Sequence, residues 1–204
     1  MAESTKETFN PLFTNPLEAV GGMTIADLNR YLPALRDEKE IKMTIHQMEE
    51  GLFLTDGLTG LEKLPDSSID LVVTDPPANP TENSGGKTQP MTLQDYYQWN
   101  KKWLEQTGRV LKSTGSIYLI CSWRYSGMYH ALLSNYFNIQ SRITWKNNTA
   151  KDQPRLGIWK NVLSDIWFAT KTNEFMFNQK KVSGGSESDK KSNPTNFWAD
   201  IIES

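Results

Sequence analysis

The sequence predicts an α/β fold built on a parallel β-sheet, and three stretches carry the prediction. Residues 69–73 are apolar at four of five positions and rich in β-branched side chains, as in a strand buried on both faces of such a sheet. Residues 93–111 place apolar side chains at helical spacing. Residues 116–121 form a second apolar run that predicts another buried strand. Strands that alternate with a helix indicate this fold class.

Composition excludes several kinds of protein. At 204 residues the chain is one domain, or one and a fraction, and it needs no disulfides to stabilise a core. The single cysteine, Cys121, lies in an apolar run, which favours a packed thiol and a reducing compartment. No apolar stretch is long enough to span a membrane, and the polar N-terminus is no signal peptide. We therefore expect a cytoplasmic protein with no membrane partner, and we expect no metal site.

Residues 1–45 predict an N-terminal arm followed by a helix. The first 22 residues contain prolines and a glycine pair and show no periodicity. Thr24 is a suitable N-cap for a helix from Ile25 to Leu35, in which leucines recur at helical spacing. The charged run over residues 36–42 is then expected to be a solvated turn.

Residues 46–178 form the central unit, which begins with a short strand, a turn and a short helix over residues 58–64. Asp56 lies in the turn just before that helix and suits its N-cap position. A loop is expected over residues 79–95, where a segment that closes over a substrate and plain disorder are both consistent with the glycines and prolines.

Pro76 and Pro77 end the strand over residues 69–73, because each lacks a backbone N–H and has a fixed φ. Asp75 is therefore left at the carboxyl end of this strand. Ligands bind at that edge in open α/β sheets. By itself, however, Asp-Pro-Pro is also an ordinary strand-ending turn.

The remaining elements follow from the same periodicities. The helix over residues 93–111 has Tyr96, Trp99 and Trp103 near one face, which we expect to be core rather than a ligand platform. Further elements are expected as a helix at 123–136, strands at 138–145 and 166–171, and an edge strand at 175–178.

The stretch Asp75-Pro76-Pro77 resembles the Asp-Pro-Pro-aromatic motif of the S-adenosylmethionine-dependent methyltransferases that modify exocyclic amino groups of DNA bases. Flanking segments are also similar to the pattern of that family, at Arg109–Lys112, Gly115–Ile117 and Trp145-Lys146. The resemblance covers about residues 50–204 and follows the β-class order, in which this motif precedes the recognition region and the glycine-rich cofactor loop. It implies a Rossmann-like methyltransferase fold that is incomplete, because the half with the glycine-rich loop is missing.

The resemblance assigns roles to the residues of the motif. Asp75 and the carbonyl of Pro76 would accept hydrogen bonds from the target amino group, and Pro77 would keep these acceptors rigid. The aromatic residue would stack on the extruded base, but its position is Ala78 here, so the activity of this form is expected to be impaired. Ala78 is either an engineered replacement of Tyr or the mark of a degenerate partner. The family places the cofactor S-adenosyl-L-methionine beside acids at the positions of Asp56 and Asp75.

Double-stranded DNA with a flipped adenine is the partner that the resemblance implies. Candidate DNA-binding residues follow the motif, end a strand or lie in a basic stretch around an aromatic side chain: Asn79, Lys146, Asn147, Asn148, Arg155, Trp159 and Lys160. The two adjacent asparagines are also a routine turn. The net charge of −2 argues mildly against extensive phosphate contact by this chain alone. Residues 179–204 would begin the target-recognition region.

The expected function is DNA adenine-N6 methylation, because Asp at the first motif position leans toward adenine over cytosine in this family. The chain would carry the catalytic motif and part of the DNA-recognition surface. A missing C-terminal segment or a second polypeptide would supply the glycine-rich loop. The alternative is a catalytically inactive DNA-binding or activating subunit. A methyltransferase that acts on RNA or on protein glutamine is disfavoured, since its motif usually begins with Asn.

Overall fold

The computed structural model describes residues 29, 32–41, 51–77, 91–146, 159, 161–178 and 195–199. The strands are β1 Leu35–Asp37, β2 Leu52–Leu54, β3 Ile69–Thr74, β4 Leu111–Cys121, β5 Asn138–Lys146, β6 Leu163–Thr170 and β7 Phe197–Trp198, and the helices of more than one turn are α1 Gly57–Glu62, α2 Leu93–Val110 and α3 Trp123–Leu133. Among the helices described, none is long and apolar enough to cross a membrane.

The strands form two sheets. Five of them make one sheet in the order β3-β4-β6-β5-β7, while β1 and β2 pair in parallel as a separate two-stranded sheet. In the larger sheet β3 is parallel to β4 and β7 is parallel to β5, but β6 is antiparallel to both β4 and β5. The α/β prediction is confirmed, but the sheet is mixed rather than parallel. The reason is that β5 and β6 are neighbours both along the chain and in the sheet.

Helices α2 and α3 contribute to a core against one face of the larger sheet. Ile117 and Leu119 of β4 share this core with Leu104 of α2 and Leu132 of α3, and none of the four side chains reaches solvent. Burying one such side chain stabilises the fold by roughly 1.5–3 kcal/mol. This core holds the helices, and hence the start of α2, against β4.

Helix α2 has the amphipathic pattern that the sequence predicts. Thr92 caps its start, where the hydroxyl oxygen accepts a hydrogen bond from the backbone N–H of Asp95 at 3.1 Å. Tyr96, Trp103 and Val110 are all buried. The prediction that the aromatic face packs in the core is therefore confirmed for Tyr96 and Trp103, whereas Trp99 is half-buried.

The opposite face of the sheet carries a second apolar cluster. Ile166 and Phe168 are buried there, and the rings of Tyr118 and Phe168 stack at a centroid distance of 4.6 Å. Phe175 packs edge-on against Phe168. The prediction of an edge strand at 175–178 is wrong, because this segment has no strand structure and contributes an aromatic side chain to the cluster instead.

Among the described strands, β3 lies at an edge of the larger sheet, and the prediction that it is buried on both faces is wrong. Val72 packs against the core, but Leu71 and Val73 are 53% and 64% exposed. Within the described ranges, β4 is the sole strand that pairs with β3. One row of backbone groups therefore has no neighbouring strand in this part of the chain, and apolar side chains flank it.

The helix predicted from Ile25 to Leu35, and the solvated turn predicted after it, are wrong where the structure describes a strand. Leu35 and Arg36 belong to β1 rather than to a helix followed by a solvated turn, and they pair with Leu52 and Phe53 of β2. The guanidinium of Arg36 also lies 5.8 Å from the centroid of the Phe53 ring. Pairing with a distant strand overrides the local helical pattern here. The arm predicted over the first 22 residues and the start of the predicted helix lie outside the described residues.

Strand β4 begins at Leu111, directly after α2 and earlier than the sequence predicts. Its register with β3 shifts between Ile69 and Leu71. Gly115 lies within this irregular stretch, where a Cβ would come within 3.0 Å of the Lys112 carbonyl oxygen and 3.1 Å of the Ile69 carbonyl oxygen. The close approach of backbone explains why glycine occupies this position.

Arg109 joins the end of α2 to the loop that precedes β3. Its guanidinium donates hydrogen bonds to the carbonyl oxygens of Leu61 at 2.8 Å and Leu64 at 2.9 Å, and it forms a salt bridge with Asp66. The backbone N–H of Ser67 donates to the carbonyl oxygen of Arg109 at 3.1 Å. These contacts fix where β3 begins, and therefore where its carboxyl end lies.

Candidate active site

Asp75, Pro76 and Pro77 directly follow the last residue of β3, as the sequence predicts. The three residues line two cavities at the carboxyl edge of the strand. We call these the large cavity, of about 480 Å³, and the small cavity, of about 210 Å³. Asp75, which is exposed, therefore lies at the boundary between two concave sites.

The large cavity lies between α1, β3 and α2. Its remaining lining residues combine one acid and two threonine hydroxyls with mostly apolar side chains: Asp56, Gly57, Leu58, Leu61, Val72, Val73, Thr74, Trp99, Trp103 and Thr107. Apolar walls with a few polar groups are typical of small-molecule sites. Trp99 and Trp103 therefore belong to the cavity as well as to the aromatic face of α2.

Asp56 caps α1, which confirms one of the two roles predicted for it. Its Oδ1 atom accepts hydrogen bonds from the backbone N–H groups of Leu58 and Thr59, both at 3.1 Å, and from the Thr59 hydroxyl at 3.3 Å. Within the described part of the chain, its Oδ2 atom accepts none. The cap thus fixes the carboxylate at the cavity wall and leaves one oxygen for a ligand.

The small cavity has an aromatic and polar lining. Besides the Asp-Pro-Pro segment, its wall consists of side chains from α2, the end of β4 and α3: Tyr96, Cys121, Ser122, Tyr125 and Tyr129. Burial, with a smaller contribution from the charges of nearby Asp165 and Asp75, raises the pKa of the Cys121 thiol to about 12. The thiol therefore stays protonated at neutral pH, which agrees with the packed thiol that the sequence predicts.

The hydroxyl of Tyr96 donates a hydrogen bond to the carbonyl oxygen of Pro77 at 2.9 Å. Tyr96 lies in the first turn of α2 and is 2% exposed. Sequence analysis assigned Tyr96 to the core and missed this contact. The feature of the sequence that could have indicated the contact is the tyrosine hydroxyl itself, since a buried tyrosine usually needs a polar partner.

Behind Tyr96 lies a buried hydrogen-bond network. The hydroxyl oxygens of Tyr96 and Tyr129 are 2.9 Å apart, and Tyr129 also donates to Oδ1 of Asn100 at 2.9 Å. Asn100 accepts from the indole N–H of Trp103 at 3.0 Å and donates to the carbonyl oxygen of Tyr96 at 2.8 Å. Burial raises the pKa of both tyrosines, so both phenols keep their protons.

The structure describes part of the predicted DNA-binding set. Lys146 ends β5 with an exposed side chain, and Trp159 is 97% exposed. Neither residue lines the large or the small cavity. The other predicted DNA-binding residues lie outside the described ranges, as does Ala78 of the catalytic motif: Asn79, Asn147, Asn148, Arg155 and Lys160. Most of the loop predicted over 79–95 also lies outside them.

The sequence matches known proteins over most of its length. The family model for DNA methylases of the N6/N4 type matches residues 69–202. The type II methyltransferase M.HpaI of Haemophilus parainfluenzae is 33% identical over 102 residues, which are 48% of this chain and 32% of that protein. The DNA adenine methyltransferase YhdJ of Escherichia coli K12 is 30% identical over 100 residues, 49% of this chain and 34% of that protein. The chain thus spans about a third of these relatives.

Solved structures share the fold. The PvuII DNA methyltransferase, which is cytosine-N4-specific, superposes with a TM-score of 0.59 at 21% identity over 76% of this chain and 57% of that chain. A DNA modification methylase from Thermus thermophilus, complexed with S-adenosyl-L-methionine, gives 0.52 at 17% identity over 73% of this chain and 65% of that chain. The Rossmann-like methyltransferase fold is therefore confirmed for the matched part.

Proposed function

Because the chain belongs to the DNA methylase family of the N6/N4 type, we propose that it is the catalytic part of an S-adenosylmethionine-dependent DNA methyltransferase. The observation that carries the proposal is the position of Asp75 at the boundary of two cavities. A methyl donor on one side and an amino group on the other would meet at this carboxylate. The chain spans about a third of its curated relatives, so the activity of the whole protein is inferred from this part.

The large cavity fits the cofactor. Its volume of about 480 Å³ lies within the roughly 300–1,000 Å³ range of small-molecule sites. Leu58 and Trp99 offer apolar surface for an adenine ring, and the Oδ2 atom of Asp56 can accept hydrogen bonds from the adenosine end. S-adenosyl-L-methionine, when bound, supplies an electrophilic methyl group. Asp75 borders the same cavity and would lie beside that group.

The small cavity supplies acceptors for the target amino group. The Asp75 carboxylate and the Pro76 carbonyl would each accept one N–H of an exocyclic amine. Two such hydrogen bonds would draw the nitrogen toward tetrahedral geometry and free its lone pair for in-line attack on the methyl carbon. The C–N bond would form as the methyl C–S bond breaks to leave a neutral thioether, and the nitrogen would then release one N–H proton to solvent. The rate acceleration would come from orientation and electrostatics, and no covalent bond would form between the substrate and the chain. The protonated thiol of Cys121 is consistent with this, since it is a poor nucleophile.

Adenine is the base that we propose as the target. Asp at the first motif position leans toward adenine in the family, and the relative from Escherichia coli is named a DNA adenine methyltransferase. The structural neighbour that is specific for cytosine N4 is 21% identical, so its similarity supports the fold alone. Analysis of the methylated nucleoside, N6-methyladenine against N4-methylcytosine, distinguishes the two bases.

A DNA surface would extend from the motif along the end of β5. Lys146 is exposed there, and Trp159 has its whole ring available for stacking on a base. Asn79, Asn147, Asn148, Arg155 and Lys160 complete the proposed set. In this proposal, residues 46–178 form the catalytic part, residues 179–204 begin target recognition, and residues 1–45 form an arm and helix.

A second polypeptide, or a further segment of a longer chain, would complete the enzyme along β3. Leu71 and Val73 expose apolar surface at 53% and 64% on a strand whose outer edge is unpaired within the described residues. An added strand would satisfy the backbone groups of this edge and bury those side chains. We propose that this segment carries the glycine-rich loop of the cofactor site.

The competing function is that of a catalytically inactive subunit that binds DNA or activates a partner. Ala78 favours it, because an alanine offers no aromatic surface to an extruded base. The low net charge of −2 does not decide between the two, since a local basic patch would suffice for either.

The test uses the complete assembly, obtained by co-purification of this chain with whatever associates with it. Transfer of a labelled methyl group to duplex DNA is measured for the unsubstituted assembly and for Asp75→Asn. Removing the carboxylate charge should lower kcat by about a hundredfold or more. The control is Asp70→Asn on the same strand, whose exposed ion pair with Lys112 contributes little and lies outside both cavities. Equal activity of the unsubstituted and Asp75→Asn assemblies would refute catalysis at Asp75.

A further inference from the structure

We propose that Tyr96 is the positioning residue of this site, whose hydroxyl holds the Pro77 carbonyl and thereby fixes the place of the Asp75-Pro76-Pro77 segment at the end of β3. The effect of Tyr96 on catalysis rests on the proposed function. Its structural basis is the 2.9 Å hydrogen bond from Tyr96 to Pro77, which joins the first turn of α2 to the motif at the end of β3.

Two of the three residues in the Asp-Pro-Pro turn cannot donate a backbone hydrogen bond. Neither Pro76 nor Pro77 has a backbone N–H, so these residues can accept hydrogen bonds but cannot donate them. The fixed φ of each proline and the restriction on Asp75, which precedes a proline, make the three residues a stiff unit. A single donor at the Pro77 end can therefore orient the whole unit, including the carboxylate. Within the described residues, Tyr96 provides that donor.

The network behind Tyr96 fixes the position of its hydroxyl. Asn100 has a fixed amide orientation, because its Nδ2 donates to the Tyr96 carbonyl and its Oδ1 accepts from the Trp103 indole. The same Oδ1 accepts the proton of Tyr129, which holds the Tyr129 oxygen 2.9 Å from the Tyr96 hydroxyl. The Tyr96 hydroxyl is thereby held within donating distance of the Pro77 oxygen, and neighbouring hydrogen bonds strengthen one another.

Packing fixes the Tyr96 ring as well as its hydroxyl. The ring is nearly parallel to that of Trp99, with an interplanar angle of 16° and centroids 6.0 Å apart, and it tilts against Tyr125 with centroids 5.1 Å apart. A ring held on both sides loses little further freedom when its hydroxyl makes a bond. The hydroxyl is thus pre-organised for the Pro77 carbonyl before any substrate arrives.

A purely structural role for Tyr96 predicts different behaviour. In that case the ring would matter and the hydroxyl would not, so Tyr96→Phe would leave catalysis unchanged. The positioning role predicts that Tyr96→Phe lowers kcat by about tenfold to a hundredfold, because a reacting group displaced by about 1 Å costs up to that much. KM for DNA and for S-adenosylmethionine should change by less than about twofold, since the substituted hydroxyl is bonded to protein.

Two further variants make the test specific. Tyr129→Phe leaves the Tyr96–Pro77 bond in place but unsupported, so kcat should fall by about threefold, less than for Tyr96→Phe. Tyr97→Phe is the matched control, because Tyr97 is the next residue of α2 and lines neither cavity. Its kcat should equal that of the unsubstituted assembly.

A second measurement does not depend on catalysis. Carbonyl-¹³C proline combined with ¹⁵N alanine labels two peptide bonds in this chain, Pro77–Ala78 and Pro33–Ala34. In Tyr96→Phe the carbonyl resonance of Pro77 should move toward the value of an unbonded carbonyl, while that of Pro33 stays unchanged. The same pair of resonances should not move in Tyr97→Phe.

The outcomes separate this inference from the proposed function. An unchanged Pro77 resonance in Tyr96→Phe overturns the inference, whatever the activity. A shifted resonance with an unchanged kcat overturns the positioning role. If the unsubstituted assembly methylates no DNA, the proposed function fails, and the Pro77 resonance alone then decides whether Tyr96 holds this carbonyl. A shifted resonance together with a lower kcat and constant KM values supports the inference.

Discussion

Asp56 and Asp75 line the same cavity, although the strands that precede them, β2 and β3, belong to different sheets. Helix α1 connects the two strands and carries Asp56 at its N-terminus. The cap of this helix therefore sets the separation of two carboxylates that we propose to flank one cofactor. Two consequences, one for folding and one for ligand affinity, can be tested separately at Asp56.

Substitutions at Asp56 should separate its role as a helix cap from its proposed role as a cofactor ligand. Asp56→Ala removes the cap and should lower the free energy of unfolding by about 0.5–2 kcal/mol. Asp56→Asn retains an oxygen for the Leu58 and Thr59 N–H groups, so its stability should stay near that of the unsubstituted protein. Its affinity for S-adenosylmethionine should nevertheless fall by about tenfold, because the charged acceptor is lost.

Urea unfolding and calorimetric titration of the complete assembly measure these two quantities. If Asp56→Asn binds the cofactor as tightly as the unsubstituted assembly, then Asp56 is a helix cap and nothing more.

Restoring an aromatic side chain at position 78 should raise methyl transfer. Stacking of an aromatic residue on a base contributes about 1–3 kcal/mol, so Ala78→Tyr should increase productive DNA binding by about fivefold to a hundredfold or more. Ala78→Phe should behave similarly, whereas Ala78→Leu adds bulk without a π-surface and should gain much less. The measurement is kcat/KM for methyl transfer to duplex DNA. Identical values for all four proteins would favour the inactive-subunit alternative.

Arg109 should contribute to stability through its carbonyl contacts rather than through its ion pair. Arg109→Lys keeps the charge near Asp66 but cannot reach the Leu61 and Leu64 carbonyls with the same planar fork. We expect a loss of about 1–3 kcal/mol in the free energy of unfolding. Lys112→Ala, which breaks the exposed pair with Asp70, should cost less than about 1 kcal/mol. Chemical unfolding midpoints at constant m-value measure the loss of stability in both variants. Equal losses would contradict the prediction that the carbonyl contacts of Arg109 contribute more than an exposed ion pair.

Cys121 should make the protein less stable as the pH rises above 9. Burial raises the pKa of its thiol from 9.0 to about 12. Above pH 9 the unfolded thiol loses its proton while the folded thiol keeps it, so unfolding becomes more favourable by about 1.4 kcal/mol per pH unit. Below pH 9 both states are protonated, and the thiol contributes no pH dependence.

The measurement for Cys121 is the free energy of unfolding between pH 8 and pH 10 under reducing conditions. Cys121→Ala should show a smaller slope over the same interval, even if its absolute stability is lower. Tyr129, whose pKa burial also raises, adds its own dependence only as the pH passes its ordinary value of 10.0. The same slope with and without the thiol would contradict the prediction.

Much of the fold could be predicted because it depends on local patterns. The two prolines after β3 stop the strand wherever the chain is placed, and the spacing of Tyr96 and Trp103 on α2 requires a buried face. The cap at Asp56 is likewise a local interaction. In each of these cases the deciding contact spans a few residues.

The predictions that were wrong concern contacts between distant parts of the chain. Leu35 leaves a helical pattern because it pairs with Leu52. The exposure of Val73 depends on which strand lies beside β3, and no local pattern contains that information. The bond from Tyr96 to Pro77 joins residues 19 positions apart, across a change from strand to helix. Such a bond is invisible to periodicity, although the need of a buried phenol for a partner hints at it.

The edge of β3 that faces no other strand in the described part of the chain has a consequence for handling the protein. Two copies of such an edge can join to each other, and a net charge of −2 offers little repulsion between molecules. We therefore expect this chain, when produced by itself, to form oligomers or aggregates that grow with concentration. Sedimentation velocity over a dilution series measures this, and a monomer at all concentrations would contradict it. Co-production with the segment that pairs with β3 should then increase the solubility of this chain as well as complete the proposed cofactor site.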